Sequence, residues 1–258
     1  MKIFNKFLNI KKHTPLKVYS KIIQFLSKLK YLLYLGKNKC CPFCGKYYRK
    51  FLIYGSSQRS NTACPKDDSL ERHRLIWLYL KYKTSFFHVN LKVLHFAPQN
   101  CFLKACSKMS NLDYISADLY KPDVKLKMNI TEITFNDNYF NVILCNHVLE
   151  HIIDDEKALN ELFRVLKPGG WAIIQSAIDS NLEKTYEDKT ILTDEERKRV
   201  FGQRDHVRIY GDDYIDRLEK AGFIVKVEDY AGSLKNDLIK IYGLNQDEKI
   251  YYCSKLKG

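Results

Sequence analysis

From residue 91 onward, short apolar runs alternate with amphipathic stretches. "KVLHF" reads as a first strand, "CFLKACSKM" as a helix, "DYISADL" as a second strand and "VKLKMNI" as a third. "YFNVILCNHVL" is a fourth strand running into a helix, and "DDEKALNELFRVLKPGG" a helix ending in a proline-glycine stop. "GWAIIQSAI" makes a fifth strand, "DDYIDRLEKAGF" a helix, and "IVKVEDY" and "KIYYCSK" two last strands. Such alternation predicts an α/β fold with a mostly parallel sheet and helices on both faces. Ligands on such sheets bind at the carboxyl ends of the strands, near the switch in strand order. A polar insertion over 178–210 interrupts the pattern and reads as a lid or binding loop within a domain spanning 75–258.

A different pattern opens the chain. In "LKVYSKIIQFLSKLKYLLYL" the apolar positions Val18, Ile22, Phe25, Leu26, Leu29 and Leu33 recur at helical spacing, with lysines mostly elsewhere. The lysines are too frequent for a membrane span, and no small-residue cleavage site follows a clean apolar run. Residues 1–39 hold ten lysines and no acid; the remainder holds 33 basic against 30 acidic residues. Ten of the thirteen net positive charges therefore belong to this arm, and the body of the protein is nearly neutral. The arm, chiefly residues 1–35, suits an anionic membrane surface, or it docks its apolar face on the protein. The expected location is cytoplasmic, with a peripheral position at the inner membrane face as an extension.

Eight cysteines without a secretory signal point to a reducing compartment. Cys101, Cys106, Cys145 and Cys253 sit in apolar contexts and read as inert small hydrophobes. The others lie in a small module over 40–74. "CPFCG" has the spacing of a zinc knuckle, and "CPKD" follows with Asp67 where a fourth cysteine is expected. Zinc accepts carboxylate oxygen, so Cys41, Cys44, Cys64 and Asp67 form the candidate set, with His73 and Cys40 in reserve. A filled tetrahedron would be structural, and a ribbon packed without metal is the alternative.

"FNVILCNHVLEHIIDDEKALNELFRVLKPGGWAII" resembles the corresponding segment of class I S-adenosylmethionine-dependent methyltransferases of the broad type 11 group. Together with "SLERHR", "VLHFAP" and "FGQRDHVRIYG", the chain from about Cys40 to Gly222 is similar to a bacterial subgroup that joins a cysteine-knuckle module to this domain. The resemblance implies a Rossmann-like seven-stranded sheet whose final strand is antiparallel. It also implies S-adenosylmethionine as cofactor.

The turn after the first strand, "LKVLHFAPQN", lacks glycine. Dinucleotide folds use glycines there so that a pyrophosphate can approach the backbone, but this cofactor has no phosphate. Phe96, Ala97 and Pro98 can line it with backbone groups. Asp118 and Leu119 close the second strand, where a carboxylate accepts from both ribose hydroxyls. By resemblance, Asn129 and Ile130 meet the adenine, and Asn146 and His147 lie beside the sulfonium. Glu150 and His151 follow; in ubiquinone-pathway relatives a similar "VLEH" holds a divalent ion, although it also occurs as plain helix. In "DHVR", His206 is the candidate base and Arg208 the candidate clamp for an anionic group, with Tyr210 orienting either; a structural cluster with Asp205 is the alternative.

These readings predict methyl transfer to oxygen or nitrogen of a saccharide, lipid-linked saccharide or small metabolite. An RNA methyltransferase with a zinc module is the runner-up, weakened by the nearly neutral body. A binding module without catalysis is the third possibility.

Overall fold

The computed structural model describes residues 30–55 and 58–257, so the lysine-rich arm lies largely outside the described residues. The chain divides into two compact units: residues up to Arg74 with 236–244, and 75–235 with 245–258.

The second unit is built on seven strands: β1 Leu91–Phe96, β2 Leu112–Asp118, β3 Leu126–Lys127, β4 Phe140–Asn146, β5 Leu166–Gln175, β6 Ile224–Glu228 and β7 Ile250–Ser254. Their order in the sheet is β6-β7-β5-β4-β1-β2-β3. Strands β1 to β5 run parallel, while β7 is antiparallel to both β5 and β6. The seven-stranded, mostly parallel sheet with one reversed strand is thus present. The central strands β1 and β4 are buried along most of their length, which explains why they read as continuous apolar runs rather than as alternation. The core packs Leu94, Ile115, Ile143 and Ile174 from the sheet against Ala158, Leu159 and Leu162 of helix α3 (Asp155–Val165).

Two expected elements differ. The third strand shrinks to two residues because Asn129 Oδ1 accepts from Thr131 N at 3.1 Å, an Asx turn that bends the chain out of the sheet. The proline-glycine stop does end α3, yet β5 begins at once and runs through "KPGG". A register shift between Phe140 and Val142 absorbs it. Gly170 is needed there, since a Cβ would come within 2.9 Å of Asn141 O.

The insertion folds locally. Ile178 bridges Tyr210, Tyr186–Glu187 pairs with Arg208–Ile209, and helix α4 spans Asp194–Phe201 (α1 is Glu71–Lys83 and α2 Asn100–Cys106). A reciprocal capping box between Thr193 and Glu196 starts α4.

In the first unit, two antiparallel pairs, Leu35–Cys40 with Tyr47–Tyr48 and Leu52–Tyr54 with Arg59–Ala63, frame the cysteines. Arg74 is fully buried and holds the unit together. It donates to the carbonyls of Thr62, Ser69, Tyr242 and Gly243 and stacks over Phe51 at 4.2 Å. Residues 236–244, assigned to the large domain on sequence, therefore cluster with the first unit, carrying the short helix Asn236–Tyr242.

Candidate active site and candidate metal centre

A cleft of ≈ 660 Å³ opens at the carboxyl ends of β1, β2 and β4. Of the residues assigned to the cofactor on sequence, it gathers Phe96, Ala97, Asp118, Leu119, Asn129, Ile130 and His147. Pro98 does not line it, and its carbonyl accepts from the Lys121 ammonium. Asn146 is buried at the end of β4 rather than on the cleft wall.

Two strand ends share an unusual backbone. Ala97, after β1, has φ 45°, and His147, after β4, has φ 55°. Both lie in the left-handed region, which costs a residue with a Cβ about 1–2 kcal/mol. The glycine-free turn therefore adopts the conformation that glycine usually supplies. Ala97 N donates to Ala117 O at 2.8 Å, and His147 N to Gln175 O at 2.8 Å, which locks each turn to a neighbouring strand. Strain of this kind, held in place by its surroundings, concentrates at ligand sites.

Polar atoms around the turns are only partly used. Asp118 Oδ1 accepts from the backbone N–H groups of Tyr120 and Lys121, both at 2.7 Å. Among the described residues no hydrogen bond falls on Oδ2 of this cleft-lining carboxylate. Gln99 Oε1 and both amide atoms of Asn146 are buried without partners. Leaving such atoms unpaired is costly, and a ligand's polar groups relieve that cost. S-adenosylmethionine, with its ribose hydroxyls, amine and carboxylate, fits this donor and acceptor set.

The insertion also contributes to the cleft. Asp194, Arg197, Arg204 and Asp205 line the cleft. Arg197 uses Nε on Ile191 O at 3.4 Å, and its two terminal nitrogens have no partner among the described residues. Sequence reasoning missed Asp194, Arg197 and Arg204, and gave Asp205 only as part of a structural cluster, although the T-x-x-E capping box starting α4 would have pointed to the helix that carries two of them.

Arg208 does not meet its expected role. It is 2% exposed, lines no part of this cleft, and its guanidinium is consumed within the protein. It donates to the carbonyls of Leu149, Ile152 and Ile153 and to Glu187, straddling the carbonyls that follow the fourth strand. Nor does Tyr210 orient a substrate; its hydroxyl donates to buried Asp155 at 2.7 Å, where Arg217 also binds.

His206 is buried beside the cleft rather than on its lining, with its ring edge-to-face against His151 at 4.7 Å. Burial, and then the neighbouring His151, pull its pKa below the ordinary histidine value. His151 Nδ1 lies 3.2 Å from Asp205 Oδ2. Glu150, 2% exposed, accepts from His147 Nδ1 at 3.0 Å and from Ser176 Oγ at 2.8 Å. Burial alone would raise Glu150, but the hydrogen bonds from His147 and the Ser176 hydroxyl outweigh it and hold the carboxyl below its usual range. Glu150, His151 and His206 bring possible ligand atoms within 4.8 Å of one another. His147 and Ser176 each bind one Glu150 oxygen, which ties this group into a hydrogen-bonded cluster.

In the first unit, Cys41, Cys44, Cys64 and Asp67 place one ligand atom each within 4.8 Å of all the others. Cys44 Sγ and Cys64 Sγ are 3.8 Å apart, and Cys41 Sγ is 3.1 Å from Asp67 Oδ2. A zinc tetrahedron with bonds of about 2.3 Å has S···S edges of about 3.8 Å, so the donor set and its size fit the ion. Around it, Tyr48 OH lies 3.2 Å from Cys44 Sγ, Ser69 Oγ 3.3 Å from Cys41 Sγ, and Lys66 N donates to Cys64 Sγ. The reserve ligands are not used: His73 Nδ1 accepts from Leu70 N, and Cys40 lies outside the group. "SLERHR" is the scaffold of this module, with Ser69 at the thiols, Glu71 paired to Arg59, and Arg74 at its centre.

Residues 93–174 match the family described as a methyltransferase domain. Among curated proteins, the ubiquinone/menaquinone biosynthesis C-methyltransferases UbiE of Vibrio campbellii and Vibrio cholerae are each 43% identical over 49 residues. That stretch is 19% of this chain and 19% of each relative, so the chain spans about a fifth of the length of the curated relatives it matches. Of solved structures, the [4+2]-cyclase SpnF covers 91% of this chain and 96% of its own at 12% identity, with a TM-score of 0.52. An S-adenosylmethionine-dependent methyltransferase from Mesorhizobium loti covers 69% and 97% at 11% identity, with a TM-score of 0.49. The SpnF likeness speaks to fold alone, and a fold does not choose its reaction. The sheet order and the strand-end cleft agree with that match: residues 93–174, about a third of the chain, are similar to the methyltransferase domain family.

Proposed function

We propose that this protein transfers a methyl group from S-adenosylmethionine to an oxygen or nitrogen of a saccharide, lipid-linked saccharide or small metabolite. The observation that carries the reading is the cleft at the ends of β1, β2 and β4, which Asp118 lines with one carboxylate oxygen free of protein partners among the described residues. When bound, the cofactor supplies an electrophilic methyl carbon on a sulfonium. The chain supplies position: Asp118 for the ribose, the Ala97 turn beside it, and Asn129 with Ile130 for the base. Asn129 Oδ1 already accepts from Thr131 N, so its second lone pair serves the adenine amine. On the acceptor side, Arg197 takes the part expected of Arg208, presenting free guanidinium nitrogens to a carboxylate or phosphate on the substrate.

Calorimetry with S-adenosylhomocysteine tests this reading. Asp118→Ala should weaken affinity by at least tenfold, because a charge-assisted hydrogen bond is lost. Binding unchanged by that substitution, or absent from the folded wild type, would end it.

The names of the curated relatives favour a second reading, a carbon acceptor; a labelled-methyl screen that includes quinol precursors alongside glycans separates the two. An RNA acceptor draws its support from the lysine arm, outside the described residues, and predicts RNA affinity falling steeply with salt. The same arm supports a peripheral membrane position in the cytoplasm. Among the described residues no helix is long and apolar enough to cross a membrane. Deleting residues 1–35 should reduce retention on anionic vesicles. Cys41, Cys44, Cys64 and Asp67 complete the proposal as a structural zinc site.

A further inference from the structure

His206 was the base expected from sequence, but the geometry points to His147, oriented by Glu150, as the group that takes the acceptor's proton. The inference rests on the methyltransferase reading and adds to it the residue and the atom.

His147 is the first residue beyond β4, and its φ of 55° and its N–H bond to Gln175 O set the ring at the carboxyl edge of the sheet, on the cleft wall. Nδ1 lies 3.0 Å from Glu150 Oε1, and Ser176 Oγ donates to Oε2 at 2.8 Å. A buried carboxylate with one oxygen already taken by a hydroxyl can only accept from the imidazole, so the proton of neutral His147 resides on Nδ1. Nε2 then carries a lone pair. That atom is buried and has no partner among the described residues. A lone pair of this kind calls for a donor, and the donor that a methyl acceptor brings is its own O–H or N–H.

The neighbouring histidines are less suited. His151 Nδ1 is occupied by Asp205, and His206 lies off the lining with its ring against His151. Glu150 is the carboxylate bonded to His147, and Asp118, Lys121, Asp194, Arg197, Arg204 and Asp205 are the other charged groups on the same cleft. As the acceptor's new bond to the methyl carbon forms and the carbon–sulfur bond breaks with its electron pair on sulfur, the acceptor's proton passes to Nε2. Glu150 stabilises the resulting imidazolium. Glu150 is thus a positioning residue, and His147 the catalytic one.

The test uses the full chain labelled with ¹⁵N-histidine, with His147 assigned from the signal lost in His147→Asn. At pH 7.5 its long-range proton–nitrogen spectrum should show the Nδ1–H tautomer with Nε2 unprotonated, and saturating S-adenosylhomocysteine should leave Nε2 without a hydrogen bond. Glu150→Gln should reduce the tautomer preference by roughly tenfold, the factor expected from one charge-assisted bond, and Glu150→Asp should restore part of it. An Nε2–H tautomer in the wild type, or a preference indifferent to Glu150→Gln, overturns the assignment. A hydrogen bond appearing at Nε2 with the product analogue alone overturns it too, in favour of a cofactor contact. Selective broadening of His147, His151 and His206 by stoichiometric Mn²⁺ would instead make the cluster a metal centre. Failure of S-adenosylhomocysteine to bind at all counts against the methyltransferase reading itself, so the two failures are distinguishable.

Discussion

The cysteine module and the strand-end cleft handle buried polar groups in opposite ways. In the module, four donors lie within 27 positions of one another, and the surrounding side chains and backbone turn inward on them. In the cleft, residues brought from three strand ends and an insertion leave a carboxylate oxygen, an imidazole nitrogen and guanidinium nitrogens without partners among the described residues. A centre that completes itself is built for stability. One that leaves costly groups open at its floor is built for a ligand.

The largest effect expected from this contrast lies in the module. Removing zinc with a chelator, or replacing Cys64 by serine, should abolish hydrogen-exchange protection in residues 40–74, while the seven-stranded sheet keeps its protection. Stoichiometric zinc in the purified chain, measured by elemental analysis, is the accompanying check; protection that persists without metal would make the module a metal-free ribbon.

Next comes Arg208, which the structure moves from substrate binding to the inner framework. Arg208→Met should lower unfolding stability by about 3–5 kcal/mol in urea, since it strands the buried carbonyls of Leu149, Ile152 and Ile153 and leaves Glu187 with Arg217 alone. A direct substrate clamp would show the reverse, a stable protein with a raised KM.

His95 offers a pH test inside the sheet. It is wholly buried, and burial, with the Lys121 charge, pushes its pKa down to about 3. The unfolded chain takes up this proton near pH 6.5, so stability is complete above that value and falls as pH drops toward 3. Between pH 6.5 and 5 the loss should be about 2 kcal/mol, at about 1.4 kcal/mol per pH unit. His95→Gln should flatten that slope in paired urea titrations at pH 7.5 and 5.0.

The smallest effect concerns the glycine-free turn. Ala97→Gly should raise stability by about 0.5–1 kcal/mol, as relief of the left-handed strain exceeds the added chain entropy. Affinity for S-adenosylhomocysteine should change little. A large loss would mean that the alanine methyl itself contacts the ligand.

Much of the sheet was readable because its information is local. β1 and β4 are apolar runs flanked by turn residues, and the period change into α3 marks the connection between β4 and β5. The truncated third strand escaped because a single side-chain bond at Asn129 outweighs strand propensity. In the site, Asp118 and the Phe96–Ala97 turn were legible from their place at strand ends. Arg208 was misread because an arginine near a histidine looks the same in sequence whether its fork meets a substrate or four protein acceptors. Residues 236–244 clustering with the first unit left no trace in spacing, since their partner Arg74 lies 168 positions from Tyr242.

Periodicity and residue type along the chain were thus enough for the α/β class, the strand succession and the C-x₂-C donor pattern, because these depend on neighbours within a turn or a strand. Which histidine carries an open lone pair, and which arginine is spent on the framework, was decided by packing. Hydrogen bonds commit a group: His147 and Ser176 fix the two Glu150 oxygens in place, and Glu187 with three backbone carbonyls takes up the Arg208 fork. That accounting exists only after distant segments have met.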